Sequence, residues 1–449
     1  MRRFLRSAPA LALLLGTEVA AANPIDTFGF GSRESAMANA GAANASGVPA
    51  NYYNPASIGA SKRFEAMIGY SAAFHGLSVN GKSSEVDSVR GINGGLVVPG
   101  KLFQVPVAFG LSVHLPDERI SRVRAQRQEE PRWELYDNRN QRLVLSANLA
   151  IQPFDWLELG GGLSFMASTR GYLEITGAAD IVKPENSPLR HQVDADLTAV
   201  RYPQFGARVK LGKKTALGLV HRGEFRLRLD LTGKVDGDIS GLTTALYELE
   251  THSVNNFQPG QWVFALSQVL TQGSMKVTGM LDVEWVRWST YEPPVAQLLA
   301  KLDIPPPKGG WPSGITPPSA PTPQPTIPLV IHDRVVPRVA FEGISGSRAA
   351  NVLWRLGYAY EASPIAEQTG ATNYIDRDRH ILGLGLGFAL GREVVGPTLQ
   401  SIRWDVHGQF SLLAHSLTRK AYAADFVGDY TAGGTIMNIG TTVTVGFGK

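Results

Sequence analysis

The sequence predicts an all-β chain: a fourteen-stranded antiparallel transmembrane β-barrel with an N-terminal hatch, or plug, in its lumen. Three observations support this. Apolar and polar residues alternate along many segments, the connections between these segments are alternately short and long, and a stretch of small residues precedes the first segment. Alternation of apolar and polar residues is typical of a β-strand with two different faces, because successive side chains point to opposite sides. No window approaches the roughly 18 apolar residues of a membrane helix, which excludes a helical membrane protein.

Residues 1–22 have the order of a secretory signal peptide. Three arginines occur within the first six residues, an apolar run covers residues 8–16, and three alanines end the segment. The apolar run is too short to span a bilayer. We therefore expect export, with cleavage after Ala22.

Charge and cysteine content narrow the classes of protein further. Removal of residues 1–22 takes away three arginines and Glu18 and leaves 40 basic and 38 acidic residues, a net charge of +2. The basic pI therefore does not indicate nucleic-acid binding. The chain contains no cysteine, so an exported fold has no disulfides and is held by burial and hydrogen bonds.

The segment over residues 23–60 is predicted to be a compact plug. From residue 29 to residue 59 it consists mostly of small residues, which allow close packing against surrounding walls. It ends on Tyr53-Asn54-Pro55-Ala56, and this sequence predicts a turn because proline fixes its own φ and moves the preceding residue out of the helical region. We expect these four residues to act as hatch and gating residues and to connect the plug to the first wall strand.

Residues 61–449 are predicted to form the barrel. Phe64, Ile68 and Phe74 share one face of the first strand, and Leu217 to Thr232 has apolar odd positions opposite a charged face. Strands of such length with one charged face suit a membrane barrel, in which one face meets lipid and the other a polar lumen. The candidate strands are 62–75, 89–98, 104–115, 141–152, 156–175, 191–211, 215–233, 258–271, 274–290, 330–345, 350–363, 379–391, 399–414 and 434–448.

The connections favour the same architecture. Short ones such as Gly212–Lys214 alternate with long ones such as Pro116–Asn140, as in barrels with periplasmic turns and extracellular loops. Within the long loops, Gly241–Glu250 is predicted to form a short helix and Pro305–Pro328 an extended proline-rich segment. The tryptophans near strand ends are predicted to form interfacial girdles; they are Trp156, Trp262, Trp285, Trp288, Trp354 and Trp404.

Residues 29–59, with their small-residue body and their Tyr53-Asn54-Pro55-Ala56 ending, resemble the hatch of the FadL-type family, outer-membrane transporters of long-chain fatty acids and of aromatic hydrocarbons such as toluene. A second similarity covers residues 355–364 and 376–387, with the sequences RLGYAYE, SP, DRDRH and LGLGLG. The resemblance extends from residue 28 to residue 447. It implies a fourteen-stranded barrel in the bacterial outer membrane, plugged by a hatch.

For function, the resemblance implies passive uptake of a hydrophobic molecule, which binds among the outer loops and in the barrel and leaves sideways into the membrane beside a kinked third strand after the hatch moves. The implied partners are this ligand and outer-membrane lipid, with a monomeric chain and no cofactor. The third predicted strand contains Pro106 and Gly110, candidates for a lateral opening because proline cannot donate a ladder hydrogen bond and glycine weakens a strand. Alternatively, Pro106 marks only the start of that strand. No motif identifies the ligand-binding residues.

Two other functions are alternatives to hydrophobic uptake. The sequence contains no G-x-S-x-G, H-E-x-x-H, phosphate-loop or dinucleotide motif, so we do not expect an enzyme, although an outer-membrane lipid hydrolase stays an alternative because triads are defined by geometry. Asp376, Asp378 and His380 have a spacing that suits either a metal site or a solvated loop, and we expect no metal. A general diffusion porin is the other alternative, against which a plugged lumen argues.

Overall fold

The computed structural model describes residues 24–118, 131–137, 142–177, 189–239, 243–291, 297–311, 330–370, 372–422 and 425–448. Its strands are β1 Phe64–Val79, β2 Lys82–Ser83, β3 Val89–Leu102, β4 Val105–Pro116, β5 Val144–Phe154, β6 Leu157–Gly177, β7 Leu189–Leu211, β8 Thr215–Arg222, β9 Phe225–Ile239, β10 Thr243–Gln258, β11 Gly260–Thr271, β12 Met275–Arg287, β13 Gln297–Asp303, β14 Arg334–Gly346, β15 Ala350–Glu361, β16 Arg379–Gly391, β17 Leu399–Thr418 and β18 Tyr430–Phe447.

Fourteen of these strands form a closed antiparallel barrel, so the predicted strand number and fold class are confirmed. The wall runs in the order β1, β3, β4, β5, β6, β7, β8, β11, β12, β14, β15, β16, β17 and β18. An unbroken ladder from Phe64↔Phe447 to Val79↔Ala432 joins the first strand to the last. Each of the fourteen predicted segments overlaps one wall strand, because alternation is a local signal.

The two ends of the barrel differ. One end, here called the turn end, carries the short connections and the two ends of the wall at Phe64 and Phe447. The turn between β3 and β4 has only Phe103 and Gln104, both with positive φ (47° and 71°), as in a tight hairpin. The opposite end, the loop end, carries the long connections. Short helices lie in connections of both kinds: α4 Glu134–Asp137 and the 3-10 turn Trp288–Thr290 at the loop end, and α5 Arg392–Val395 at the turn end.

The region from residue 215 to residue 258 differs from prediction. The expected single strand over 215–233 is interrupted at Gly223 and Glu224, and β9 continues beyond the wall. The predicted helix over Gly241–Glu250 is wrong, because residues 243–250 belong to β10, which pairs with β9 on one side and β13 on the other. Pairing with β9 and β13 overrides the local propensity here. Of the proline-rich segment, residues 312–328 lie outside the described residues.

The outer face of the wall is apolar and the inner face is polar. Ile68, Leu149 and Leu384 are more than half exposed on the outside. Trp156, Trp262, Trp285 and Trp404 are also exposed there, and Trp354 is half-buried. The girdle prediction is wrong for Trp288, which is buried because it follows the end of β12 and stacks on Phe257, with ring centres 5.2 Å apart. Among the described helices, none has the length and apolarity required to cross a membrane.

Candidate functional site

Residues 24–60, here called the hatch segment, lie inside the barrel and are almost completely buried. Their helical elements are α1 Pro24–Phe28, α2 Ser32–Ser35, α3 Ala50–Tyr53 and a 3-10 helix over Pro55–Ala60. The elements are short because glycines and small residues interrupt them, which lets the backbone follow the inner wall closely. The segment then enters β1 at the turn end.

Glycines of the wall provide the room that the hatch segment occupies. A Cβ built on Gly160 would lie 2.6 Å from the carbonyl carbon of Pro55, and one on Gly383 would lie 2.6 Å from the carbonyl oxygen of Ala36. These are backbone contacts that no side-chain rotation can relieve. The LGLGLG run therefore has two functions: its leucines cover the outer face, and its first two glycines, Gly383 and Gly385, admit the hatch segment.

The four predicted hatch residues lie together at the end of the hatch segment. The Tyr53 hydroxyl accepts a hydrogen bond from the Phe30 amide (3.0 Å) and donates one to Asn39 Oδ1 (3.0 Å). Asn54 caps the 3-10 helix by accepting from the Ala56 amide (3.2 Å). Pro55 and Ala56 form the first turn of that helix, in contact with Gly160.

Asn54 also fastens the hatch segment to the wall. Its Nδ2 donates to the carbonyl oxygens of Ala42 (2.9 Å) and Ala207 (3.1 Å), the latter in β7. A Cβ on Gly206 would overlap the Asn54 side chain. Sequence reasoning missed Gly160 and Gly206, although their positions on neighbouring predicted strands were a usable signal.

Pro106 and Gly110 lie on β4 but do not interrupt it. Pro106 is the second residue of the strand, opposite Lys101, and Gly110 is paired with Val97 and Asn148 on the two sides. Neither ladder of β4 has a register shift. Pro106 thus occupies a strand start, where proline is tolerated, and Gly110 packs against the side chain of Asn51 in α3.

We expect Gly160→Ala to destabilise the protein by roughly 1–3 kcal/mol, because the added methyl group has no space against the hatch backbone. Urea unfolding of the detergent-solubilised protein measures the change. Gly408→Ala is the matched control: it is also in the wall, and its added Cβ meets nothing within 4 Å. Equal effects of the two substitutions would contradict the packing argument.

A chain of buried ion pairs joins the hatch segment to the wall towards the turn end. Arg33 of α2 donates two hydrogen bonds to Glu342 (2.8 and 2.7 Å), and Glu342 also accepts from Arg355 (2.9 Å). Arg355 continues to Asp405 (2.8 Å), which accepts from Arg403 (2.8 Å). Such charges tolerate burial because each is paired and hydrogen-bonded.

A second set of contacts ties the two ends of the hatch segment together near the loop end. The Tyr52 hydroxyl donates to Asp26, which also accepts from Gln258 and Gln261. Arg222 lies over the Tyr52 ring, 4.2 Å from its centre, and donates to the Tyr52 carbonyl oxygen (3.1 Å) and to Gln261 (2.9 Å). Displacing α1 requires these contacts to break.

A cavity of about 30 Å³ lies between α1 and the loop end, room for little more than one water-sized group. Asp26 and Thr27 line it on the hatch side. The rest of its lining mixes apolar and aromatic side chains with polar and charged ones; these are Leu135, Tyr136, Pro259, Val286 and Trp288, and Gln261, Arg334, Glu361 and Arg379.

Buried aromatic rings extend from this cavity to the connections at the loop end. Trp133 and Tyr136 of the α4 region are in contact, with ring centres 6.2 Å apart, and Tyr136 lies 6.0 Å from His75. The His75 ring in turn lies 5.7 Å from that of Phe28, the last residue of α1. On the other side of the cavity, Phe257, Trp288 and Tyr291 form a second ring cluster.

Asp376, Asp378 and His380 do not converge. Asp376 is buried in the loop before β16, whereas Asp378 is exposed and accepts from the Ser363 amide (2.9 Å). His380 points outward and contacts the Tyr358 hydroxyl (2.8 Å). Among the residues that the structure describes, no group of three or more potential ligands is suited to hold a metal ion.

Burial raises the pKa of the Asp376 carboxyl to about 6, against the opposing effect of Arg334. Because this pKa lies above that of the unfolded chain, the folded state binds the extra proton below about pH 6, and the free energy of unfolding decreases as the pH rises through 6. In the wild type this group lowers the free energy of unfolding by roughly 2–3 kcal/mol between pH 4 and 7.5. We expect Asp376→Asn to abolish that decrease, as measured by urea unfolding. The exposed neighbour provides the control, since Asp378→Asn should leave the wild-type pH profile in place.

Comparisons with known proteins show which solved structures have a similar fold. No family model matches the chain, and no curated protein matches it. The structure of a Pseudomonas aeruginosa FadL homologue matches 96% of this chain and 99% of its own, with a TM-score of 0.56 and 13% identity. The P. putida toluene transporter TodX matches 94% of this chain and 99% of its own, with a TM-score of 0.51 and 12% identity. The resemblance to FadL-type proteins is thereby confirmed for the fold, which this chain shares with both structures over nearly its whole length.

Proposed function

We propose that this chain is a FadL-type channel of the bacterial outer membrane, through which hydrophobic molecules enter passively. The observation that carries the proposal is the path of buried aromatic rings from Trp133 through Tyr136 and His75 to Phe28 of the hatch segment. Aromatic side chains with few polar groups line sites for apolar ligands. Long-chain fatty acids and aromatic or aliphatic hydrocarbons are the candidate ligands.

The cavity beside α1 is the proposed inner binding site. Its present volume is too small for such a ligand, so binding requires α1 to move. Breaking the contacts among Asp26, Tyr52 and Arg222 would free α1. Hatch movement is therefore part of the proposal.

We place the exit at β4, sideways into the membrane. Both ladders of β4 are continuous, so exit requires them to open locally. Pro106 contributes no donor there, and Gly110 rests on Asn51, so a shift of the hatch segment removes support from β4. Leaving into lipid saves roughly 0.8 kcal/mol per CH₂ compared with leaving into water.

We propose that residues 1–22 are removed as a signal peptide and that the barrel works as a monomer surrounded by outer-membrane lipid. The burial of Pro24 and Ile25 inside the barrel supports a mature chain that starts just before them. N-terminal sequencing of protein isolated from outer membranes tests the cleavage position.

Proteoliposomes test the function. We expect them to take up radiolabelled oleate or toluene faster than empty liposomes and not to swell in sugar solutions. Trp288→Ala, which removes a ring from the cavity, should slow uptake roughly fivefold, as expected for the loss of about 1 kcal/mol of ring contacts. Trp404→Ala is the matched control, because Trp404 lies exposed on the outer face.

Two outcomes would overturn the proposal. Rapid swelling of wild-type proteoliposomes in sugars would indicate a general porin. Release of fatty acid from phospholipid by the purified protein would indicate a lipid hydrolase.

A further inference from the structure

The turn end carries an excess of exposed cations. The exposed cations on its short connections and at the strand ends next to them, here called the basic rim, are Lys101, Lys213, Lys214, Lys276, Arg348 and Arg392. The exposed acids on these connections are Asp155 and Glu393. Within the described part of the chain, no carboxylate forms an ion pair with any of the six cations. The rim therefore carries net positive charge, with six cations against two acids.

The loop end has a different balance of charges. Exposed acids such as Asp117, Asp333 and Asp378 lie there among exposed cations such as Lys82 and Arg419. The positive charge of the rim is thus a property of one end of the barrel and not of the whole surface. Since the mature chain is nearly neutral, its net charge does not explain that of the rim.

Large exposed apolar side chains lie beside the rim cations. Leu102 and Phe103 follow Lys101, and Phe103 is 93% exposed. Leu211 precedes Lys213, Met275 precedes Lys276, and Val394 follows Arg392; all are exposed. An apolar residue inserted at the membrane surface holds a neighbouring cation at the depth of the lipid phosphates.

Two rim cations also share a groove. Arg348 and Arg392 line a shallow groove of about 500 Å³ between a turn and α5, together with Glu393, Gly396 and Pro397. Two guanidinium groups at the edge of a groove suit a phosphate, which they can contact with several donors each. Glu393 repels an anion there, but it is outnumbered by the two arginines.

We propose that the basic rim binds the phosphate headgroups of anionic phospholipids in the leaflet that surrounds the turn end, with the groove between Arg348 and Arg392 as its best-formed headgroup site. Basic residues at a membrane surface attract anionic lipid by about 1 kcal/mol each, and the attraction decreases with salt. This proposal rests on the placement of the barrel in a membrane but not on what the barrel transports.

The test uses spin-labelled phosphatidylglycerol and phosphatidylcholine with the full-length protein in nanodiscs. The rim variant Lys101→Gln/Lys213→Gln/Arg348→Gln/Arg392→Gln is compared with a loop-end variant that loses the same charge, Lys82→Gln/Lys301→Gln/Lys308→Gln/Arg419→Gln. We expect the wild type to select phosphatidylglycerol at low salt. The rim variant should lose at least about fivefold of this selectivity, the factor that corresponds to about 1 kcal/mol for a single cation, and the loop-end variant should keep it.

Unchanged selectivity in the rim variant would overturn the proposal and leave an acidic periplasmic protein as the partner of the rim. Equal losses in the two variants would also overturn it, because net charge alone would then explain the selectivity. All the substituted side chains are exposed, so both variants are expected to fold, which a band shift between boiled and unboiled samples on gels verifies. Because transport is not measured, failure here is separate from failure of the proposed uptake.

Discussion

A chain that lacks residues 28–57 is expected to form an open pore. The deletion removes most of the hatch segment, whose buried residues fill the lumen between opposite sides of the wall. The wall itself is closed without them, because every neighbouring pair of its fourteen strands is hydrogen-bonded. Swelling of proteoliposomes in small sugars should increase by an order of magnitude or more relative to the wild type, since barrels of this size without a plug contain water.

The control for this deletion is the state of the barrel. A heat-dependent shift on gels must show that the shortened chain still folds, since an unfolded chain would give no swelling for a trivial reason. A folded deletion variant that stays impermeable to sugars would contradict the plugging of the lumen by the hatch segment.

Glu342→Gln is expected to weaken the attachment of the hatch segment by roughly 3–5 kcal/mol. Glu342 is the shared acceptor of Arg33 in the hatch segment and Arg355 in the wall, and all three side chains are buried. The amide keeps the shape of the side chain but leaves two buried guanidinium groups without their common counter-charge, which is a costly change at a buried site. Urea unfolding measures the stability, and intermittent channel opening in planar bilayers reports the loosening.

An exposed ion pair provides the control for Glu342→Gln. Lys301 contacts Glu248 at 3.6 Å, with 73% and 40% of the two side chains exposed. Glu248→Gln should change the stability by at most about 1 kcal/mol, because water already screens this pair. If the two glutamate substitutions had the same effect, burial would not be what makes the Glu342 contacts strong.

The fold was predictable because its main signal is local. Each wall strand shows alternation within its own 8 to 23 residues, and the outer face needs only apolar side chains to be recognised. The strand β10 was missed because residues 241–250 also suit a helix, and β13, the second strand with which β10 pairs, lies well beyond it in the sequence. Trp288 was misplaced because the same residue type marks both a membrane interface and a buried cluster.

The interior of the barrel was predictable only in outline. Small residues indicated a plug, and Asn54-Pro55 indicated a turn. Nothing local indicated that Arg33, Glu342, Arg355 and Asp405 meet, since a charged residue facing a lumen has the same sequence pattern whether it is paired or solvated. Their pairing depends on the register of β14, β15 and β17 and on the position of α2 inside the barrel.

The ladder between β1 and β18 has a consequence for assembly. The hatch segment is continuous with β1, yet it lies within a ring that is complete only when Phe64 and Phe447, almost the whole wall apart in the chain, come together. We expect the hatch segment to be enclosed as this seam forms. Closure of the seam is expected to be the slow step of assembly, because it joins the two wall strands that are furthest apart in the chain.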